Sequence, residues 1–267
     1  SLRRQRQMCI RDSLYTDQEI FLRELVSNAV DATTKLKKLS SMGEIKGDLG
    51  DLQIEIIVDK KAKTISIIDK GIGMTSDEVK QYINQVAFSG AEDFLKKYDE
   101  KDDKSGIIGH FGLGFYSAFM VAEKVQILTK SHMSKEAGCF WECDGSPEYN
   151  LKDFDKKERG TEINLFISED AKDYLEESKI SSLLSKYCKF LPVEIKFGTK
   201  TKNEKNEKGE EVDVVEDNII NNPEPAWTKQ PKDLKDDDYK DFYRELYPCL
   251  LYTSDAADEG LGVDLGG

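Results

Sequence analysis

EIFLRELVSNAVDA, residues 19–32, reads as an apolar helix carrying a polar stripe. Leu22, Leu25, Val26, Ala29, Ala32 and then Leu36 recur at helical spacing and define a wide apolar arc. Glu24, Asn28 and Asp31 stand at i, i+4 and i+7, so they share the opposite face. Thr16 and Glu19 have capping-box spacing, which starts the helix near Thr16. Such a stripe is ordinarily the solvated side of a surface helix. Two motifs further along the chain give it a second reading.

A β-hairpin follows the helix. Ile54, Ile56 and Val58 alternate, KKAK turns, and TISIID runs back to Asp69. Asp69, Gly71 and Gly73 lie in DKGIGM, a carboxylate at a strand end followed by a turn. DEVKQYINQVAF reads as a helix. From Ser89 to Gly114 the pattern breaks into small, charged and glycine-rich stretches around a short helix near Phe94–Tyr98, the composition of a lid. Gly109, Gly112 and Gly114 lie in GHFGLGFYS, and FYSAFMVA then reads as an apolar helix. VQILTKS, CFWECDG and TEINLFI read as strands, a helix spans Ile180–Tyr187, and a strand spans Val193–Phe197. Alone, each motif is weakly specific. In this order and these contexts they offer a metal ligand, a base reader and a phosphate cradle, the components of a nucleotide site.

Composition bounds the alternatives. Among 267 residues, 38% are hydrophobic and 34% charged, which suits a real core under a heavily charged surface. The net charge of −13 argues against a nucleic-acid partner, since phosphate binding needs a basic footprint. No apolar run is long enough to span a bilayer, so no membrane partner is expected and the location expected is cytoplasmic. The five cysteines have no CxxC spacing, and His110 and His132 complete no zinc set, so reduced thiols are expected. Residues 198–222 change to TKTKNEKNEKGEEVDVVED, a charged stretch read as a linker without an ordered fold. PEPAWTKQPKDLKDDDYKDFYRELYP then starts a new element anchored by Trp227, Tyr239, Phe242 and Tyr243. SLRRQRQMCIRDS and the Gly-rich end after CLLYTSDAADE fit neither pattern and resemble translated sequencing-adapter read-through.

The longer strings EIFLRELVSNAVDA, IDKGIGMT, GHFGLGFYSAFMVA and RGTEI resemble the heat-shock protein 90 chaperone family, bacterial HtpG type, within the GHKL ATPase superfamily. The resemblance runs from Leu14 to Pro248 almost without interruption. It implies a two-layer α+β sandwich, a mostly antiparallel twisted sheet covered by helices on one face, with ATP between helices and sheet. It divides the chain into a flank over 1–13, an ATP-binding domain over 14–197, the linker over 198–222, the start of a middle domain over 223–248 and a second flank over 249–267.

What the family implies carries over residue by residue. Glu24 is the catalytic base that activates water. Asn28 is the Mg²⁺ ligand, a neutral oxygen suited to a hard cation. Asp31 lines the adenine side. Asp69 reads the exocyclic amine of adenine, an amine that guanine lacks at that position. Gly71 and Gly73 let backbone approach the base, Met74 packs near it, and Thr161 reaches adenine or Asp69 directly or through water. Gly109, Gly112 and Gly114 cradle phosphates with their N–H groups, and Phe115 follows them. No GxxxxGK[ST] is present, so no Walker lysine is implied.

Phe88 stands where many family members carry lysine, which leaves a phosphate-side cation absent there, and His110 stands where glutamine is common. The family's exchanged N-terminal strand and its γ-phosphate arginine are expected to lie outside this sequence. The expected function is the ATP-binding and ATP-hydrolysing part of a homodimeric chaperone, with client proteins and cochaperones as partners. ATP or ADP would be held with little turnover by this stretch alone. A histidine kinase would need an upstream phosphoacceptor histidine, and a gyrase-like or MutL-like protein a DNA-binding surface that the acidic balance disfavours.

Overall fold

The computed structural model describes residues 17–84, 114–133, 137–205, 211–230, 232 and 234–247. Helix α1 spans Ile20–Ser41 and buries Phe21, Leu22, Leu25, Val26, Ala29, Val30, Leu36 and Leu39. Each fully buried side chain of this size contributes roughly 1.5–3 kcal/mol. The helix stops because Gly43 takes a φ of 79°. That left-handed turn lets the N–H of Gly43 reach Ser40 O at 3.0 Å and the N–H of Glu44 reach Leu39 O at 3.0 Å, closing the last carbonyls. The helix starts at Ile20 rather than near Thr16, and Thr16 with its expected capping box lies outside the described residues. The Glu19 carboxylate is held by Lys179 Nζ at 2.9 Å and Lys186 Nζ at 3.0 Å. Those two lysines hold it below its usual carboxylate range.

Strands β1 (Ile54–Asp59) and β2 (Thr64–Asp69) form the expected hairpin, with Lys63 at a φ of 55° in its turn. Helix α2 is Ser76–Tyr82, started by a reciprocal box in which Thr75 Oγ1 accepts from the Glu78 N–H and the Glu78 carboxylate accepts from the Thr75 N–H. The apolar helix expected at FYSAFMVA is a 3-10 helix over Gly114–Met120. Ser117 Oγ donates to Gly114 O at 2.6 Å, an i−3 contact that favours the tighter turn. Then come β3 (Ala122–Lys130), β4 (Gly138–Cys143), β5 (Asn150–Phe154) and β6 (Gly160–Ile167), a 3-10 helix at Glu169–Leu175, and α3 (Glu177–Tyr187). Strands β7 (Ile195–Lys205) and β8 (Glu211–Ile219) follow.

Among the described residues these strands make one sheet of eight in the order β5-β4-β3-β6-β2-β1-β7-β8. All neighbours are antiparallel except β1 and β7. One face buries Ile54, Ile56, Ile65, Ile67, Val125, Ile127 and Leu165 in the same core as α1 and α3. The other face mixes polar side chains with Ile57, Phe140 and Phe166. Ser66 bonds Asn164 at 2.5 Å, Gln126 bonds Glu142 at 2.6 Å, and Lys124 sits 3.9 Å over the Phe166 ring. This is the expected α+β sandwich with helices on one face. Cys139, Cys143 and Cys188 are free and buried, and burial pushes the Cys188 thiol up to about 12.

Among the described residues of the stretch expected as an unordered linker over 198–222, those up to Lys205 and from Glu211 to Ile219 are strands, which corrects that expectation there. β7 and β8 pair antiparallel from Lys196↔Ile219 to Lys205↔Glu211. Charge content argued against order because it offers little burial. The alternation of β-branched Thr199, Thr201, Val212 and Val214 favours a ladder, whose backbone bonds need no core. Cross-strand charges add to it: Lys196 lies 2.9 Å from Glu55 and 3.0 Å from Asp217. Asn221 closes the hairpin's return. Its Oδ1 accepts from the Ile195 N–H at 2.8 Å, and its Nδ2 donates to Leu191 O and Val193 O, each at 2.8 Å.

The chain divides into two compact units, Ser1–Asn221 and Asn222–Gly267. In the second, a 3-10 turn at Ala226–Thr228 precedes α4 (Asp236–Leu246). Trp227 and Phe242 meet edge to face at 5.3 Å, and Asn222 Nδ2 donates to Glu245 at 3.1 Å.

Replacing Asn221 with alanine strands one buried N–H and two carbonyls. The Asn221→Ala variant is expected to lose about 2–4 kcal/mol of unfolding free energy, read as a lower urea midpoint at unchanged slope.

Candidate functional site

The site begins where α1 crosses the end of β2. Gly71 packs directly on the helix: a Cβ built on it would lie 2.6 Å from the Ala32 carbonyl carbon. The N–H of Ile72 then donates to Ala32 O at 3.0 Å, so the turn after β2 is bonded to the helix backbone one residue past Asp31. On its other side the turn meets β3. Gly73 has a φ of 62°, and a Cβ there would sit 1.8 Å from Lys130 O. No L side chain fits that position, by conformation or by space. The N–H of His132 completes the seam by donating to Ile72 O at 2.8 Å.

Three polar side chains line up across the sheet beneath this turn. Asp69 pairs with Thr161 across β2 and β6, and Thr161 pairs with Thr129 across β6 and β3. All three are buried. Asp69 Oδ1 accepts from the Gly71 N–H at 2.8 Å. Burial pushes the Asp69 carboxyl up to about 7, against the opposing pull of hydrogen bonds from the Gly71 and Thr161 backbone and of Lys156. Thr129 Oγ1 accepts from the Met74 N–H at 2.9 Å and lies 3.0 Å from Thr161 Oγ1. The cluster therefore offers a carboxyl able to hold or give up a proton near neutrality, beside two hydroxyls.

A second group lies toward the start of α1. Glu24 is about one-quarter exposed, and its Oε1 accepts from Arg23 Nε at 3.1 Å and Nη2 at 2.6 Å. Its Oε2 is 2.7 Å from where a Cβ on Gly114 would stand, so the glycine makes room for the carboxylate. Asn28 is half-buried one helical turn on. Asp31 is buried rather than solvated, so the stripe is not an open helix face.

The sequence-derived residues thus fall into two groups on one helix. Asp69, Gly71, Gly73, Met74 and Thr161 come together at its later turns, and Glu24 with Gly114 at an earlier one. Phe115 is buried in an aromatic cluster, 5.6 Å from Trp141 and 6.2 Å from Phe119. Gly109, Gly112, Phe88, Ser89, His110 and the helix expected at Phe94–Tyr98 lie outside the described residues. Sequence reasoning passed over Thr129 and Arg23. Thr129 had a signal: it continues the buried alternation Val125, Ile127 as a polar residue on a core-facing position.

A family model described as histidine kinase-, DNA gyrase B-, and HSP90-like ATPase matches residues 15–165. Among curated proteins, the chain is 57% identical over 239 residues to the chaperone protein HtpG of Porphyromonas gingivalis, covering 90% of this chain and 34% of that protein. It is 56% identical over 239 residues, with the same coverage, to HtpG of Bacteroides thetaiotaomicron. It is 40% identical over 238 residues to HtpG of Actinobacillus succinogenes, covering 88% of this chain and 37% of that protein. The chain thus spans about a third of the length of these relatives.

Two outcomes test this geometry. Gly73→Ala forces both a strained φ and a collision with Lys130 O, and is expected to cost on the order of 3 kcal/mol or more, measured by urea unfolding. Asp69 supplies a pH test. Its folded pKa is raised above the unfolded value of about 3.9, so its contribution is fully present below about pH 4 and lost as pH rises through about 7. Asp69→Asn removes that loss. The melting temperature of the variant minus that of the wild type is expected to grow between pH 4 and pH 8.

Proposed function

This chain belongs to the family of histidine kinase-, DNA gyrase B-, and HSP90-like ATPases, and on that premise we propose that it is the N-terminal ATP-binding and ATP-hydrolysing domain of a molecular chaperone. The observation that carries this reading is the meeting of a buried carboxyl, two threonine hydroxyls and a close-packed glycine turn under the helix that bears Glu24. The likeness to HtpG chaperones supports the choice within the family.

In this reading Asp69 accepts a hydrogen bond from the exocyclic amine of adenine, and Thr161 serves the neighbouring ring nitrogen. Gly71 and Gly73 let the turn approach the base, with Met74 beside it and Asp31 behind it. Gly114, with Gly109 and Gly112, supplies backbone N–H groups for phosphate oxygens. Asn28 would hold Mg²⁺ that arrives with the nucleotide. One neutral oxygen fits a cation that keeps its water and phosphate ligands, and among the described residues no three His, Cys, Asp or Glu side chains cluster into a metal cage. Bound there, Mg²⁺ would neutralise charge on the phosphates.

Hydrolysis then needs a base. Glu24 takes a proton from water as the water oxygen bonds to the γ-phosphorus. The bond from phosphorus to the β–γ bridging oxygen breaks, and ADP leaves with that electron pair. We extend the proposal to a cytoplasmic, homodimeric parent protein that acts on client proteins with cochaperones.

A second reading, nucleotide binding with hardly any turnover, is favoured by one contact. Both Arg23 donors converge on Glu24 Oε1, which occupies that oxygen and leaves Oε2 alone to meet a water.

Calorimetric ADP titration beside a turnover assay separates the two readings. For the ATPase, Glu24→Ala lowers turnover by about 10²–10⁴-fold and leaves ADP affinity in place, while Asp69→Asn abolishes ADP binding. Wild-type turnover in Glu24→Ala would sink the role given to Glu24. Tight ADP binding with no turnover above the Glu24→Ala control would favour the second reading.

A further inference from the structure

Thr129 Oγ1 has three polar neighbours, and one of them can be bonded in either direction. It is wholly buried and lies 2.9 Å from the Met74 N–H, 3.3 Å from Gly160 O and 3.0 Å from Thr161 Oγ1. The Met74 N–H can only donate and Gly160 O can only accept. Thr161 Oγ1 can do either. A hydroxyl carries one proton and two lone pairs, so two arrangements keep the contact between the two threonines. In one, Thr129 donates to Gly160 O and accepts the Thr161 proton, and Thr161 is left with lone pairs to offer. In the other, Thr129 donates to Thr161 Oγ1, and the Thr161 proton is released for another acceptor. Passing between them rotates two O–H bonds and moves no heavy atom.

We propose that Thr129 is a positioning residue for base recognition, setting whether Thr161 presents a proton or a lone pair to the bound purine. The inference rests on reading Asp69 and Thr161 as the adenine side of the site. Adenine offers an amine donor beside the acceptor nitrogen N1. A fixed acceptor at Asp69 beside a hydroxyl able to release its proton matches that pair. The same hydroxyl ties Thr161 to the glycine turn through the Met74 N–H, so both walls of the base site are held by one buried oxygen.

The test compares ADP with 1-deaza-ADP, in which N1 is replaced by C–H, by calorimetry on the whole 267-residue chain. Wild type is expected to prefer ADP by about 3- to 10-fold, the worth of one hydrogen bond. Thr129→Val keeps the shape and removes the oxygen that competes with N1 for the Thr161 proton, and should widen that preference several-fold. Thr129→Ser keeps the hydroxyl and should return the wild-type ratio. A merely structural role for Thr129 would weaken both ligands alike and leave their ratio unmoved. Should Thr129→Val fail to fold, Thr129→Cys gives the same comparison with a thiol, a weak donor and acceptor. An unchanged ratio in the hydroxyl-free variant, no wild-type preference between the ligands, or a serine variant that behaves like valine overturns the inference. Failure of wild type to bind ADP at all refutes instead the adenine-site reading on which it rests.

Discussion

A carboxyl group taken from water into a protein interior loses hydration that only hydrogen-bond donors can replace. Asp69 recovers part of it from the backbone N–H groups of Gly71 and Thr161, and the local architecture follows from that need. The Gly71 N–H points back at Asp69 only because the chain turns sharply after β2. That turn is possible only where glycine lets it press against Ala32 on one side and Lys130 O on the other. The Thr161 contact requires β6 to pair with β2 in a register that sets Thr161 opposite Asp69. One buried acid thus ties the helix, the turn and the sheet to a common geometry. The recovery is incomplete, because desolvation still outweighs the hydrogen bonds. A ligand that donates to this carboxyl would complete it.

Much of this was legible in the sequence because it is written in local periodicity. The alternation of Ile54, Ile56 and Val58, and of TISIID, gives a hairpin whose side chains bury as the pattern requires. The helical spacing of Leu22, Leu25, Val26 and Ala29 gives α1. Glycine in IDKGIGMT announces a turn without saying what lies against it. The partners, Ala32 and Lys130, are distant in sequence, and only the folded chain names them.

The misreadings have physical causes. Over 198–222, composition was taken as the measure of order, although a β-ladder satisfies backbone groups whatever the side-chain charge. The helix was expected to start near Thr16 and starts at Ile20, where Glu19 is held by two lysines on α3 that lie far along the sequence. Thr129 was passed over because a threonine within a strand is ordinary. Its weight comes from three neighbours contributed by β6 and by the turn after β2. Local pattern recorded which residues would be buried, but not which of them would meet.

The parallel pairing of β1 with β7 has a consequence for the order in which the chain can be completed. Ile54 waits for Ile195 before that side of its strand is paired, and Asp69 waits for Thr161. At about 5–20 residues per second of synthesis, the interval between Asp69 and its partner is on the order of ten seconds. Throughout it, the β2 edge and the apolar surface that β3 and β6 later cover stay unpaired. The nascent chain is therefore open, for that interval, to the non-native association of apolar surface that chaperones exist to limit.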